Sequence, residues 1–460
     1  MDEIYKLAPN FFQNLMVTLY NYKAYKRRYG GSYYEFLKVF KANRNLSRES
    51  LIELQKERYS RFIEGAMSQS IFYRERFKDI SDPTNLNNIR KLPILDKETL
   101  RTKTDEVVIQ TDEDLKTAKT GGTTGKSLQV KIRAVNIQER FAMLDDFRSR
   151  FGYKLGKKTA WFSGKDLLTQ RDIKKNRFWK KDYLNKVRYY STFHMKREFI
   201  PYYIENLIRF KPEYVVGFPS SIFEIAKFGK RNNYEFPPNT VKAVFPTAET
   251  LSNEMRIAIE SFFHTKVYDQ YASSEGAPFI IECSEGELHL ELQSGVFEVL
   301  DNNNNPATTG RLVVTSFTTE ATPLIRYDIA DTISLADQDK ICSCGNNNPM
   351  ALELHGRLDD YVFSPEMGKI NIINVANAIK DVKGIASYQI VQNELNQLVF
   401  KIVADKNYYD KSQEKLFIRN WRDRVGYQMK FDLQYVEDIP VESSGKFRVV
   451  KNSIKHLVDA

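Results

Sequence analysis

This chain of 460 residues has few cysteines, no long apolar run and no complete Walker A loop. No apolar stretch reaches the roughly 20 residues that span a bilayer. Met1-Asp2-Glu3 does not open a signal peptide, so a soluble cytoplasmic protein is the expectation. Three cysteines are too few for a disulfide scaffold in a chain this long. No internal repeat is visible. The chain is long enough to bury a large core and to divide into two or more domains. Hydrophobic residues at 42% and charged residues at 28% are ordinary globular values.

The missing Walker glycine matters because most of the loop is present. Thr120-Gly121-Gly122-Thr123-Thr124-Gly125-Lys126-Ser127 joins backbone freedom at three glycines to hydroxyl and ammonium donors for phosphate oxygens. A G-x-x-x-x-G-K-[ST] loop requires glycine at position 120, where this chain has threonine. Leu128-Gln129-Val130-Lys131-Ile132 then alternates as a strand does, whereas a Walker loop opens a helix. The pattern predicts a phosphate-gripping loop between two strands, in a nucleotide-using enzyme outside the P-loop class.

Charge is unevenly placed. Lys154 to Arg197 holds 14 Lys/Arg against 3 Asp/Glu, an excess that matches the whole chain's net charge of +10. The stretch reads first as a solvated basic face. Its functional alternative is a landing surface for a phosphorylated substrate, a lipid headgroup or nucleic acid. Residues 1 to about 80 read as helices. Within them the apolar Phe11 to Tyr20 precedes Lys26-Arg27-Arg28, as a helix packed on the main domain or, alternatively, an interfacial membrane element. From about 95 to 355 short strands alternate with helices, which predicts an α/β body. Leu288 to Leu300 and Leu312 to Phe317, joined through Asn302-Asn303-Asn304-Asn305-Pro306, read as a hairpin. Beyond Gly356 a strand pair at 385–391 and 398–403, a helix at 411–424 and a strand at 431–436 predict a separate small α+β domain.

Four further segments follow the glycine loop in order: Thr247-Ala248-Glu249; Tyr271-Ala272-Ser273-Ser274-Glu275-Gly276; Arg326-Tyr327-Asp328-Ile329-Ala330-Asp331 with Gly356-Arg357-Leu358-Asp359-Asp360; and Pro440-Val441-Glu442-Ser443-Ser444-Gly445-Lys446. Together they resemble the adenylate-forming (acyl-activating) superfamily, in its phenylacetate–coenzyme A ligase-like branch, from about residue 50 to 450. That branch includes relatives associated with capsule and surface-polysaccharide synthesis. The resemblance implies an α/β fold with a large AMP-binding domain over 1–358, helical over about 1–80. A small mobile α+β domain over 359–460, hinged at Asp359, would carry the catalytic lysine.

The resemblance also assigns roles. Thr120, Gly121, Gly122, Thr123, Thr124, Gly125 and Lys126 would grip ATP phosphates. Tyr271 would stack on adenine, bordered by Thr247, Ala248 and Glu249. Ser274 would contact phosphate and Glu275 would ligate Mg²⁺, which takes hard oxygen donors. Asp331 would hold the ribose diol, and Arg357 would lie near ribose and α-phosphate. Ala272 stands where the family has glycine. Lys446 would meet both the carboxylate and the α-phosphate. A cation delivered to a phosphorus that is gathering negative charge stabilises the transition state selectively.

Cys342-Ser343-Cys344-Gly345 resembles a metal knuckle, and Cys283 with His289 six residues later supplies two more ligands. Such a set suits closed, structural zinc if the fold joins the two pairs, and comparable Cys/His sets occur in the branch. His194 is a candidate for the acyl or phosphate pocket, and Gly217-Phe218-Pro219-Ser220 resembles the segment lining the acyl pocket. The implied activity is ATP-dependent formation of an acyl-adenylate from a small carboxylic acid, with release of pyrophosphate. The acyl group would then pass to coenzyme A, or to an amine or hydroxyl of a sugar precursor. The competing reading is a non-catalytic nucleic-acid or membrane-surface binder using residues 154–197. The retained Lys446, Glu275 and Asp331 argue against it, and no nucleic-acid partner is expected.

Overall fold

Strand Tyr214–Gly217 is buried along its whole length, as a strand must be when helices cover both faces of its sheet. The computed structural model describes residues 2–119, 128–165, 167–195, 198–249, 251, 253–273, 275–354, 361–371, 378–379, 381–405, 407–437, 439 and 449–458. Tyr214–Gly217 belongs to a five-stranded sheet ordered Trp179–Asp182, Val187–Ser191, Thr159–Ser163, Tyr214–Gly217, Ala243–Pro246. The last four strands run parallel and the first is antiparallel. Alternation sends Val215 and Val244 to one face, under helices Ile200–Phe210, Pro219–Arg231 and Asn253–Phe263. Tyr214, Val216 and Phe245 go to the other, against Phe147 of helix Ala134–Ser149. Proline in the first turn of Ile200–Phe210 and of Pro219–Arg231 suits the fixed φ of a helix start.

The chain leaves this sheet through a parallel bridge, Val244 to Val267, and enters an antiparallel one. That second sheet has seven strands, ordered Gly295–Leu300, Thr309–Ser316, Leu324–Leu335, Met350–Leu354, Leu288–Leu290, Ile280–Glu282, Gln270–Tyr271. The expected hairpin holds for Gly295–Leu300, with Val296 opposite Thr315 and Leu300 opposite Arg311, whereas Leu288–Leu290 is a separate strand paired with Ile280–Glu282 and Met350–Leu354. Helices Arg48–Gln69 and Ile71–Phe77, capped by the Ser47 and Ser70 side chains, close the core beneath it. Strands Lys116–Lys119 and Gln129–Ile132 pair antiparallel, Lys119 opposite Gln129. The strand expected after the glycine loop is therefore present, while Thr120 to Ser127 lie outside the described residues.

Part of the basic stretch is not a solvated face. Lys180 is fully buried and donates to Asp172 (2.8 Å), Asn10 (3.0 Å) and Gln13. Asp182 accepts from Asn21 at 2.8 Å, and Asn14 accepts from the Lys181 backbone at 2.9 Å. The N-terminal helix Asn10–Tyr29 thus docks by its polar face onto the antiparallel edge strand and covers it. Sequence counting sees only charge; the topology sets some of that charge between a helix and a sheet edge.

Residues 362–453 carry their own core. Strands ordered Lys430–Tyr435, Gln397–Ala404, Ile385–Glu394, Val450–Asn452 form a four-stranded sheet. Helix Lys411–Val425, capped by Asp410, buries Phe417, Trp421 and Val425 against it. This unit touches the larger one beside His194. Gly368 has φ +75°, and a Cβ there would meet the Met195 carbonyl at 2.9 Å. Lys369 pairs with Glu224 at 3.7 Å, and Arg424 lies over the Phe193 ring at 5.6 Å.

Lys180→Ala leaves the buried Asp172 with its hydrogen bonds from Thr169 and, among the described residues, with Arg177, 3.5 Å away, as its remaining cation. The expected loss is about 3 kcal/mol, the low end for a broken buried pair, read as a lower urea midpoint.

Candidate active site and metal centre

Ligands of open α/β sheets bind beyond the carboxyl ends of the strands. Three of the expected segments leave the parallel sheet there. His194 follows strand Val187–Ser191, Phe218-Pro219-Ser220 follows Tyr214–Gly217, and Thr247-Ala248-Glu249 follows Ala243–Pro246. Thr247 N–H donates to the Gly217 carbonyl at 2.9 Å. Glu249 Oε2 accepts from Ser220 N–H at 3.1 Å, in the first turn of a helix whose dipole favours a carboxylate. Ala248 has φ +68°, a conformation that costs an alanine about 1 kcal/mol. Alanine in place of glycine at Ala272 carries such a cost only where φ is positive. Ala272 is not among the residues with positive φ, and the left-handed alanine is Ala248.

The Val244–Val267 register brings Tyr271 out at the same end as Ala248. Tyr271 Oη donates to Asp331 Oδ2 at 2.7 Å, joining the expected adenine and ribose positions. Glu275 pairs with Lys97 at 3.2 Å and both are largely shielded from solvent. Gly276 next to it needs to be glycine, because at φ +105° a Cβ would lie 2.5 Å from the Thr319 methyl. Arg140 holds this turn from behind, donating to the carbonyls of Gly276 (2.8 Å) and Ala277 (2.9 Å) and to Thr318 (2.8 Å). Burial pulls Arg140 down to about 10, so it is still a cation at neutral pH. Sequence reasoning missed Lys97 and Arg140, since both meet the site only through tertiary contacts. The one local sign at Lys97 is the Asp96 cap of its helix.

His194 is buried, with Nδ1 2.8 Å from Ser191 Oγ and its ring 6.0 Å from Phe178. Burial lowers its pKa to about 4, so the imidazole is neutral at pH 7. Ser274, Arg357 and Lys446 lie outside the described residues, as does the glycine loop.

The fold joins the two Cys/His pairs. His289, on strand Leu288–Leu290, sits between Ile281 and Met350 in register. This places Cys283, just past the neighbouring strand, beside the loop bearing Cys342 and Cys344. All four ligand atoms lie within 4.8 Å of one another. Cys283 and Cys342 sulfurs are 3.6 Å apart, and Cys344 Sγ is 3.5 Å from His289 Nε2. A tetrahedral zinc with bonds of about 2.0–2.3 Å has ligand–ligand edges of about 3.5–3.8 Å, so the set fits. His289 Nδ1 donates to the Asn348 carbonyl at 3.2 Å, which leaves Nε2 facing the thiols, and Asn346 N–H points at Cys344 Sγ, 3.3 Å away. Partners of this kind orient metal ligands.

Residues 362–453 match the CapK C-terminal domain family. Protein CapK of Staphylococcus aureus is 33% identical over 463 residues, which cover 99% of this chain and 100% of that one. Among solved structures, 2-hydroxyisobutyryl-CoA ligase in the postadenylation state, in complex with R3-HIB-AMP, superposes with a TM-score of 0.56 at 16% identity. That match covers 91% of this chain and 92% of the ligase. The same ligase with 2-HIB-AMP and CoA in the thioesterification state gives 0.55 at 16% identity, over 94% and 93%. At such identities the likeness establishes the fold alone: a large α/β body with a separate C-terminal domain.

Two outcomes follow from the geometry. His194 binds its proton more weakly in the fold than the ordinary imidazole near 6.5. Its contribution is complete above pH 6.5 and is lost as pH falls toward 4. In His194→Gln, urea midpoints should fall less steeply across that window than in the parent chain. Metal analysis of purified protein should give one zinc per chain, and Cys342→Ser should lose it together with several degrees of Tm.

Proposed function

The chain belongs to the CapK family, and from that premise we propose that it is an ATP-dependent acyl-activating ligase. A carboxylate attacks the α-phosphorus of ATP, giving an acyl-adenylate and pyrophosphate. The acyl group then passes to an acceptor nucleophile. The observation that carries this reading is the Tyr271–Asp331 hydrogen bond of 2.7 Å beside the Glu275–Lys97 pair. An aromatic ring, two carboxylates and a cation near the carboxyl end of the parallel sheet support the reading, because open α/β sheets bind ligands there.

Tyr271 offers a face for adenine and Asp331 two oxygens for the ribose, with Glu249 and Ala248 at the border. Glu275 is a magnesium donor of the right hardness, and a bound magnesium would neutralise phosphate charge there. Lys97 adds a cation on the same side. We assign the phosphate grip to Thr120–Lys126 with Ser274, the ribose and α-phosphate contact to Arg357, and the transition-state cation to Lys446. The division at about 358–359 rests on the independent core of 362–453. A small unit that can reorient about Asp359 would bring Lys446 to the crevice only for chemistry. His194 is neutral and suits shaping the acyl pocket better than carrying charge. We assign the Cys283, His289, Cys342 and Cys344 set to structural zinc.

The substrate class is a small carboxylic acid. The acceptor is coenzyme A or, in the surface-polysaccharide setting we prefer, an amine or hydroxyl of a sugar precursor. ATP–pyrophosphate exchange with a panel of acids tests the reading. At least one acid should support exchange. Lys446→Ala should lower it by about 10²–10³-fold, the scale for losing one transition-state charge contact, with ATP binding retained. Asp331→Ala should instead act mainly on the KM for ATP. Absence of exchange with every acid would favour the non-catalytic surface binder.

A further inference from the structure

Helix Asn10–Tyr29 has its polarity reversed. It docks through Gln13, Asn14, Val17, Thr18 and Asn21, all buried and four of them polar, and turns a larger apolar side outward. At 100° per residue Phe11, Phe12, Leu15 and Leu19 share the opposite face, and they are 62%, 54%, 39% and 57% exposed. Leu7, on the preceding helix Asp2–Leu7, is 69% exposed and continues the stripe. Across from Phe11 lies the ring of the exposed Tyr183, at 6.3 Å. Isolated exposed apolar residues need no explanation, but a continuous stripe marks an interaction surface.

The charge around the stripe identifies what covers it. Exposed Lys23, Lys26 and Arg27 follow directly on the same helix. On the docked side of its first turns, against Asn10 and Asn14, lies a separate cavity of about 270 Å³ lined by Arg177, Lys181, Arg188 and Arg209. A second copy of the chain would bring like-charged rims together. A leaflet rich in anionic phospholipid presents apolar depth under a negative surface and satisfies both features at once. We propose that this face docks the protein onto the interface of an anionic phospholipid membrane, with headgroup phosphates meeting the basic rim of Lys23, Lys26 and Arg27. The helix lies in the interface plane; no helix among the described residues is long and apolar enough to cross a bilayer. The inference does not rest on the ligase reading.

Co-sedimentation of the full chain with vesicles tests it. Binding is expected to phosphatidylglycerol-containing vesicles, and much less to phosphatidylcholine alone. The double variant Leu15→Ser with Leu19→Ser alters only outward side chains and should keep the parent Tm. It should partition at least about tenfold more weakly, since each loses a buried aliphatic group. Replacing Lys23, Lys26 and Arg27 by Gln should weaken binding by about tenfold or more and remove most of its salt dependence. No binding to anionic vesicles, or binding unchanged in the double leucine variant, would overturn the proposal. So would a dimer, seen by light scattering, that the leucine substitutions dissolve.

Discussion

The parallel bridge between Val244 and Val267 is the join on which the rest of the molecule depends. It takes the chain from a buried parallel sheet into an antiparallel one. Its register puts the loop Thr247-Ala248-Glu249 and Tyr271 at the same carboxyl end. The helix dipole at Ser220 and the hydrogen bonds of Arg140 then fix each side of that crevice separately. A strained Ala248 is tolerated because its neighbours on both strands are already pinned.

Activating an acid with ATP asks two anions to meet. In the proposed reading, part of the positive charge this needs is already in place: Lys97 against Glu275, and Arg140 behind the turn. More positive charge placed there permanently would bind ATP too evenly to favour the transition state. In our reading the remaining cation travels with the C-terminal unit, whose contacts with the larger unit among the described residues include those at Met195, Phe193 and Glu224. Contacts of this kind suit relative motion, since large apolar interfaces are what lock domains together.

Much of the fold was legible because local patterns and topology agree. Strict alternation gave the strand after the glycine loop, and the C-terminal order of two strands, a helix and a strand appears at 385–394, 397–404, 411–425 and 430–435. The four metal-type ligands were legible as two pairs, and the antiparallel pairing of His289 with Ile281 explains how they meet. Lys97 and Arg140 were not legible, because nothing nearby in sequence marks a lysine or arginine that acts 178 or 136 residues away. The basic stretch misled for the opposite reason. Counting charges cannot tell Lys180, buried against Asp172, from the cations that line an open cavity.

The central claim is that an acid oxygen attacks the α-phosphorus of ATP. Isotope transfer tests it most directly, using an acid that supports exchange and carries ¹⁸O in its carboxylate. After complete turnover with the acceptor, one labelled oxygen should appear in AMP, with unlabelled pyrophosphate. Formation of ADP with the label in inorganic phosphate would contradict the account.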